Sequence, residues 1–254
     1  MSVPGTSLRS VDTARPRERA APVRGRLVTR LLTEAMRSVA GSGAEPAVLD
    51  CGGGSGSTAV PLALAGARVT VVDVSPDALA TLRRRAAEAG VDDLVEAVQG
   101  DAEALAGLVP AASFDLALAH GVLEEVDPEV ALAGIAAAVR PGGLISMLIS
   151  NPVASVLSRA LSGDVASALL ELRALPSSFD LAALHTVCAR LGLAVEQVHG
   201  VGVFTEWVPG ADPDTSASGA PDDEALAELE RLAAGRSPFR EIASRVHVLA
   251  RRPG

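Results

Sequence analysis

A short apolar run ends at Asp50 and passes directly into Cys-Gly-Gly-Gly-Ser-Gly-Ser, placing glycines at 52, 53, 54 and 56. So many glycines at the end of a strand allow a tight turn, and they let a ligand lie against the main chain rather than against side chains. Two more acidic positions follow: Asp73 closes RVTVVD, and Gly100-Asp101-Ala102-Glu103 comes after LVEAVQ. A carboxylate is an acceptor-only group with two oxygens, which suits it to a pair of ribose hydroxyls. His120 ends FDLALAH, and imidazole is the side chain whose ordinary pKa fits proton transfer near neutrality. Each residue also has a purely structural reading. The glycines serve a turn, Asp73 or Ser75 caps the helix that starts near Pro76, Asp101 caps AEALAGL, and His120 is a satisfied histidine of the fold.

The elements that would position these residues alternate. AVLD (47–50) reads as a first strand, followed by a helix through 58–65 with Ser57 as its cap and Pro61 inside the first turn. RVTVVD (68–73) is a second strand, and SPDALATLRRRAAEAG is a helix capped by Ser75, with Pro76 at its first position and Gly90 at its end. LVEAVQGD leads a third strand to Asp101, FDLALAHG (114–121) is the fourth, DPEVALAGIAAAVRPGG is a helix stopped by Pro-Gly-Gly, and LISMLIS (144–150) is the fifth strand. Continuously apolar strands alternating with helices predict a parallel sheet covered on both faces. Beyond Ser150 the pattern becomes a helical insertion at 151–177, a helix at 180–191, EQVHGVGVF, a polar turn-rich loop at 209–223, a helix near 223–234 and a terminal strand at 245–252. The expectation is one α/β domain over 21–254 with insertions at about 151–177 and 204–240, preceded by a basic, loosely ordered extension over 1–20. Ligands of such open sheets bind at the carboxyl ends of the strands.

Charge and composition narrow the chemistry. Residues 1–30 hold seven arginines against Asp12 and Glu18, a net +5, so the remainder carries −14 toward the total of −9. The chain has no lysine, no tyrosine and one tryptophan. An acidic body with few stacking rings is a poor platform for the phosphate backbone and bases of a nucleic acid. Cys51 and Cys188 form neither a disulfide framework nor a metal-ligand cluster. With no long apolar span and no secretory core, a cytoplasmic protein with no metal and no membrane association is expected.

The glycine loop alone fits two cofactors. Gly54-Ser-Gly56-Ser-Thr-Ala59 matches the GxGxxG/A pattern of dinucleotide-binding folds, which implies a nicotinamide-dependent oxidoreductase. Read instead as Asp50-x-Gly52-x-Gly54-x-Gly56, it resembles motif I of the class I S-adenosylmethionine-dependent methyltransferases. Asp73, Gly100-Asp101-Ala102-Glu103, FDLALAHGVLEEV and VRPGGLISML resemble the later landmarks of that family, in the right order. This resemblance implies a Rossmann-like, seven-stranded, mostly parallel sheet with an antiparallel terminal strand. It also implies S-adenosyl-L-methionine as cofactor and methyl transfer by in-line displacement.

LISNPVASVLSRALSGD, HGVGVFTEWVPG and SPFREIASRVHVLARRP are similar to segments of the tRNA 5-carboxymethoxyuridine methyltransferases, which form a methyl ester on a carboxylate of the wobble uridine. By that resemblance Gly52, Gly53, Asp73, Ala102, Glu103 and His120 fall on cofactor-binding positions, with Asp50, Gly54 and Asp101 beside them. Arg26 stands for an amino-terminal arginine that contacts the cofactor. His120 is also the one candidate for a catalytic base. From position, Asn151, Phe204 and Trp207 are candidates for the acceptor pocket; helix capping for Asn151 and core packing for the two rings are the alternatives. Departures bear on the acceptor. The family's Gly-Val-Arg-Val-Phe reads Gly200-Val201-Gly202-Val203-Phe204 here, and the insertion keeps only Arg159 and Arg173 nearby. The acceptor therefore stands open between modified tRNA and a small molecule, and a cofactor-binding protein without catalysis is the remaining alternative.

Overall fold

The structure is a computed structural model that describes residues 23–39, 45–175, 179–208 and 223–254. The extension over 1–20 and nearly all of the loop at 209–223 lie outside the described residues. Seven strands form one sheet: β1 (Ala47–Cys51), β2 (Arg68–Asp73), β3 (Val95–Gln99), β4 (Phe114–His120), β5 (Val139–Ser150), β6 (Ala194–Val201) and β7 (Arg245–Arg251), in the order β3-β2-β1-β4-β5-β7-β6. The first five run parallel, and β7 lies antiparallel to both β5 and β6. The Rossmann-like, mostly parallel architecture expected from the sequence is present.

Both faces of the sheet are buried, which explains why its central strands are apolar at every position rather than alternately. Val48, Leu116, Leu118 and Leu144 pack beneath α1 (Val23–Val39), α2 (Ala59–Leu64) and α3 (Pro76–Ala89). Their neighbours Leu49, Ala117, Ala119 and Ile145 face α4 (Pro128–Ala138) and α7 (Leu181–Arg190). Leu49, Leu62, Leu82, Leu116, Leu118 and Leu132 are fully buried, each contributing about 1.5–3 kcal/mol of transfer free energy. The insertion after β5 is a helical hairpin, α5 (Pro152–Leu161) and α6 (Val165–Ala174), and α8 (Asp223–Ala233) lies against α1. Among the described residues, no helix is long and apolar enough to cross a membrane.

Two local expectations are corrected. Thr58, not Ser57, stands at the N-cap of α2, with φ −101° and ψ −44° and no side-chain capping bond. The helix starts inside a continuous glycine turn, and the Val60 amide is taken by the Gly56 carbonyl. The second correction concerns Pro141-Gly142-Gly143. α4 ends earlier, at Ala138, and β5 already begins at Val139. Val139 is fully buried opposite Phe114, and the register shifts between Phe114 and Leu116. Such an irregularity tolerates a proline, which has no N–H for the ladder. Arg140 fastens the segment from outside, ion-paired to Asp115 at 2.5 Å and donating to the Val39 carbonyl at 2.6 Å. The other capping expectations hold: Ser75 accepts from the Ala78 amide, and Gly90 ends α3 at φ +68°.

Candidate cofactor site

Strand parity places the site. Asp50 shares a face of the sheet with Val48, His120 with Leu116 and Leu118, and Arg245 with His247 and Leu249. All three therefore rise beneath α1 at one end of the strands. There they line a cavity of about 350 Å³ together with Gly52, Gly53, Ser57, Thr58 and Leu148, and with Gly25 and Val28 of α1.

The glycine turn is built around two carboxylates. A Cβ at position 53 would stand 2.5 Å from Asp50 Oδ2 and 2.9 Å from Val71 Cγ1, so only glycine lets the loop fold down over the buried acid. Gly54 takes φ +54°, and its amide donates to Asp73 Oδ2 at 2.9 Å, while the Ser75 amide donates to Asp73 Oδ1 at 2.8 Å. Two main-chain donors thus fix the Asp73 carboxylate at the end of β2, and each oxygen keeps a lone pair for an outside hydroxyl.

Asp50 is held differently. It is 2% exposed, and among the described residues its Oδ2 has no hydrogen-bond partner. Burial first, and the Asp73 charge second, push its pKa up to about 7. A buried carboxyl without a partner is costly to the fold and favours a bound cation.

His120 belongs to a chain of polar groups running across the sheet. Its Nε2 lies 2.8 Å from Ser146 Oγ, which lies 2.8 Å from His247 Nε2. Ser146 and His247 are 0% and 1% exposed. The hydroxyl has one proton, so it donates to one imidazole and accepts from the other, and neither nitrogen is left unpaired. Burial lowers the pKa of His120 to about 4, with the Arg245 guanidinium adding to the effect, and burial lowers that of His247 to about 3. Both rings are neutral at physiological pH. His120 is consequently a weak base.

The remaining candidates lie outside this cavity. Asp101 caps the short 3-10 segment Ala102–Gly107 by accepting from the Glu103 amide at 2.9 Å, and Glu103 accepts from the Asp127 amide at 2.9 Å. Ala102 is buried. The Gly100 amide bonds to the Asp73 carbonyl at 3.0 Å, which keeps this segment beside the second acid. Arg26 lines two surface grooves, one shared with Glu224 and Glu228 of α8 and one with Thr33 and Pro61. Gly25 and Val28, one helical face away, reach the cavity instead. Asn151 caps α5, accepting from the Val153 amide and donating to the Glu241 and Ala243 carbonyls. Phe204 packs on Phe239 with ring centroids 5.8 Å apart, and Trp207 is half-buried in the turn that follows. Sequence reasoning missed Ser146, His247 and Arg245. Their one signal was a shared strand parity, which says nothing until the neighbouring strands are known.

The donor set suits a ligand that is cationic at one end and carries hydroxyls at the other: an unpartnered buried carboxyl, a second carboxylate with lone pairs free, and a neutral imidazole. Residues 49–147 match the family of methyltransferase domains. With the sheet topology and the relatives that follow, this domain supports an S-adenosylmethionine-dependent methyltransferase. Among individual proteins, the chain is 28% identical over 214 residues to the tRNA 5-carboxymethoxyuridine methyltransferase of Escherichia coli (strain K12), covering 81% of this chain and 80% of that protein. It is 38% identical over 117 residues to the ubiquinone biosynthesis O-methyltransferase of Methylocella silvestris, covering 46% and 44% of the two chains. The geranyl diphosphate C-methyltransferase of Streptomyces coelicolor A3(2) shares the fold, with a TM-score of 0.61 at 16% identity over 89% of this chain and 79% of that one.

Proposed function

We propose that this methyltransferase transfers the methyl group of S-adenosylmethionine to an ionised oxygen, a carboxylate, on a small molecule or a modified tRNA. The observation that carries the reading is the convergence of Asp50, the Gly52-Gly53 turn and His120 in one cavity beside the anchored Asp73. In this reading Asp73 accepts from the ribose hydroxyls, the loop at 52–54 lies against the methionine portion, and Ala102 and Glu103 border the adenine. Asp50 faces the cationic end, and binding there relieves its unpaired state. The cofactor supplies an electrophilic methyl group on a sulfonium centre. The chain supplies orientation and exclusion of water, α1 covering the cavity, and alignment alone is worth roughly 7–11 kcal/mol in well-oriented reactions. His120, the titratable nitrogen beside the cavity, is too weakly basic to deprotonate a neutral hydroxyl well, so the reading favours an acceptor that arrives ionised.

A small-molecule acceptor is the favoured form of this reading. The net charge is −9, and Gly202, at φ +76°, carries no side chain toward an acceptor. A polyanion gains little from such a surface. The test is calorimetric titration with S-adenosylmethionine of the wild type and of Asp73→Ala, followed by transfer of labelled methyl to a panel of small carboxylic acids and to tRNA bearing 5-carboxymethoxyuridine. Micromolar binding that weakens at least tenfold in Asp73→Ala, with label on an acid, is expected. A wild type that binds no S-adenosylmethionine overturns the reading.

A further inference from the structure

We infer that Arg245 determines the acceptor specificity of this site by holding the acceptor's carboxylate at the mouth of the cavity. The inference rests on the methyltransferase reading above and deepens it.

Arg245 opens β7, opposite Ser150 of β5 and Val201 of β6. Because β7 runs antiparallel, its first residue lies at the end of the sheet where β4 and β5 finish, which is the ligand end. The side chain reaches back toward β4: a Cβ at Gly121 would be 3.8 Å from its Nη1. Gly121 follows His120, and the guanidinium and the imidazole line the same cavity.

The guanidinium stands away from the acid proposed to bind the ribose. The strand that carries Arg245 is four strands from β2, and the side chain, reaching back to the end of β4, remains two strands from it, about 10 Å at about 4.8 Å per strand. It therefore borders the side of the cavity away from Asp73, the side open to an acceptor in this reading. It is also unpaired: among the described residues no carboxylate lies within ion-pair distance of it. Neighbouring acids are engaged elsewhere, Glu124 by the Ser150 amide at 2.6 Å and Glu241 by Arg240 at 2.9 Å. The residue is exposed at the start of β7, so its guanidinium is open to a ligand arriving from solvent. A carboxylate suits it, because the planar fork of arginine matches the two carboxylate oxygens. Gly121 leaves that fork open, and Gly202 puts no side chain of its own in this region.

The test uses the full chain saturated with S-adenosylhomocysteine and titrated by calorimetry with matched probes, the nucleoside 5-carboxymethoxyuridine and malonate, each against its amide. The wild type is expected to bind at least one acid more tightly than its amide. Arg245→Gln should weaken that acid by about 10- to 100-fold, leave the amide unchanged and leave S-adenosylhomocysteine affinity within twofold, and Arg245→Lys should recover part of the loss. No preference for acid over amide in the wild type, or equal acid binding in Arg245→Gln, overturns the inference. So does a tenfold loss of S-adenosylhomocysteine affinity in Arg245→Gln, which would give the guanidinium to the cofactor's own carboxylate. Failure of the methyltransferase reading looks different: the wild type would bind no cofactor at all.

Discussion

Replacing Asp50 with asparagine removes a buried charge and keeps the shape that Gly53 closes over. In the folded chain the carboxyl stays protonated up to about pH 7, whereas the ordinary value is 3.8. Between those values the folded state holds a proton that the unfolded chain has lost, so Asp50 makes stability fall as pH rises through that window. Above pH 7 the full difference applies, and at 1.36 kcal/mol per unit it amounts to about 4 kcal/mol. Asparagine carries no such penalty, but its amide lacks a partner there and costs about 1–3 kcal/mol. The net expectation for Asp50→Asn is a gain of about 1–3 kcal/mol at pH 8, or several degrees in Tm for a chain of this size. At pH 4 the gain should vanish or change sign. Calorimetric melting at both pH values measures it, alongside titration with S-adenosylmethionine, whose affinity should drop at least tenfold in the variant. A Tm lowered equally at pH 4 and pH 8 would refute the reasoning, because it would mean that the carboxylate is satisfied within the fold and stores nothing for a ligand.

Other substitutions probe the support of the site. Glu230 is 1% exposed and accepts from the amides of Val203, Phe204 and Thr205 at 2.9, 2.8 and 2.8 Å; Glu230→Ala should cost about 3 kcal/mol or more by urea unfolding, and a loss under 1 kcal/mol would show that water replaces it freely. The imidazole resonances of His120 and His247 should not titrate above pH 5 in NMR spectra, and a midpoint near 6.5 for either ring would contradict their burial. Since these rings bind fewer protons when folded than when unfolded, they should make stability fall as pH drops from about 6.5 toward 4. Ser146→Ala strands both Nε2 atoms and should lower stability by about 1–3 kcal/mol in thermal melts.

The Asp73 half of the site was legible in the chain because it is local. Strand, turn and helix follow one another from residue 47 to 90, so the Gly54 amide, Asp73 and the Ser75 cap meet within one βαβ unit. The acceptor side was less legible. Asn151 and Phe204 were candidates from their distance beyond a strand end, and the structure shows the capping bond and the ring contact that were their alternatives. Asp101 had two open readings, and its capping bond to the Glu103 amide is present. Arg26 fell one residue from the helical face that reaches the cavity, because a helix turns about 100° per residue and its rotation is set by what it packs on.

The sequence by itself determined the parallel sheet, the glycine turn and the acids at the strand ends, since each follows from short-range periodicity and backbone freedom. The antiparallel terminal strand was an expectation of the family resemblance, and only the tertiary structure decided that it lies between β5 and β6. That one pairing joins His120 to His247 through Ser146 and carries Arg245 into the cavity, across more than a hundred residues of chain. Which strand lies beside which is fixed by burial of both sheet faces together, a property of the whole chain that no local run of residues contains.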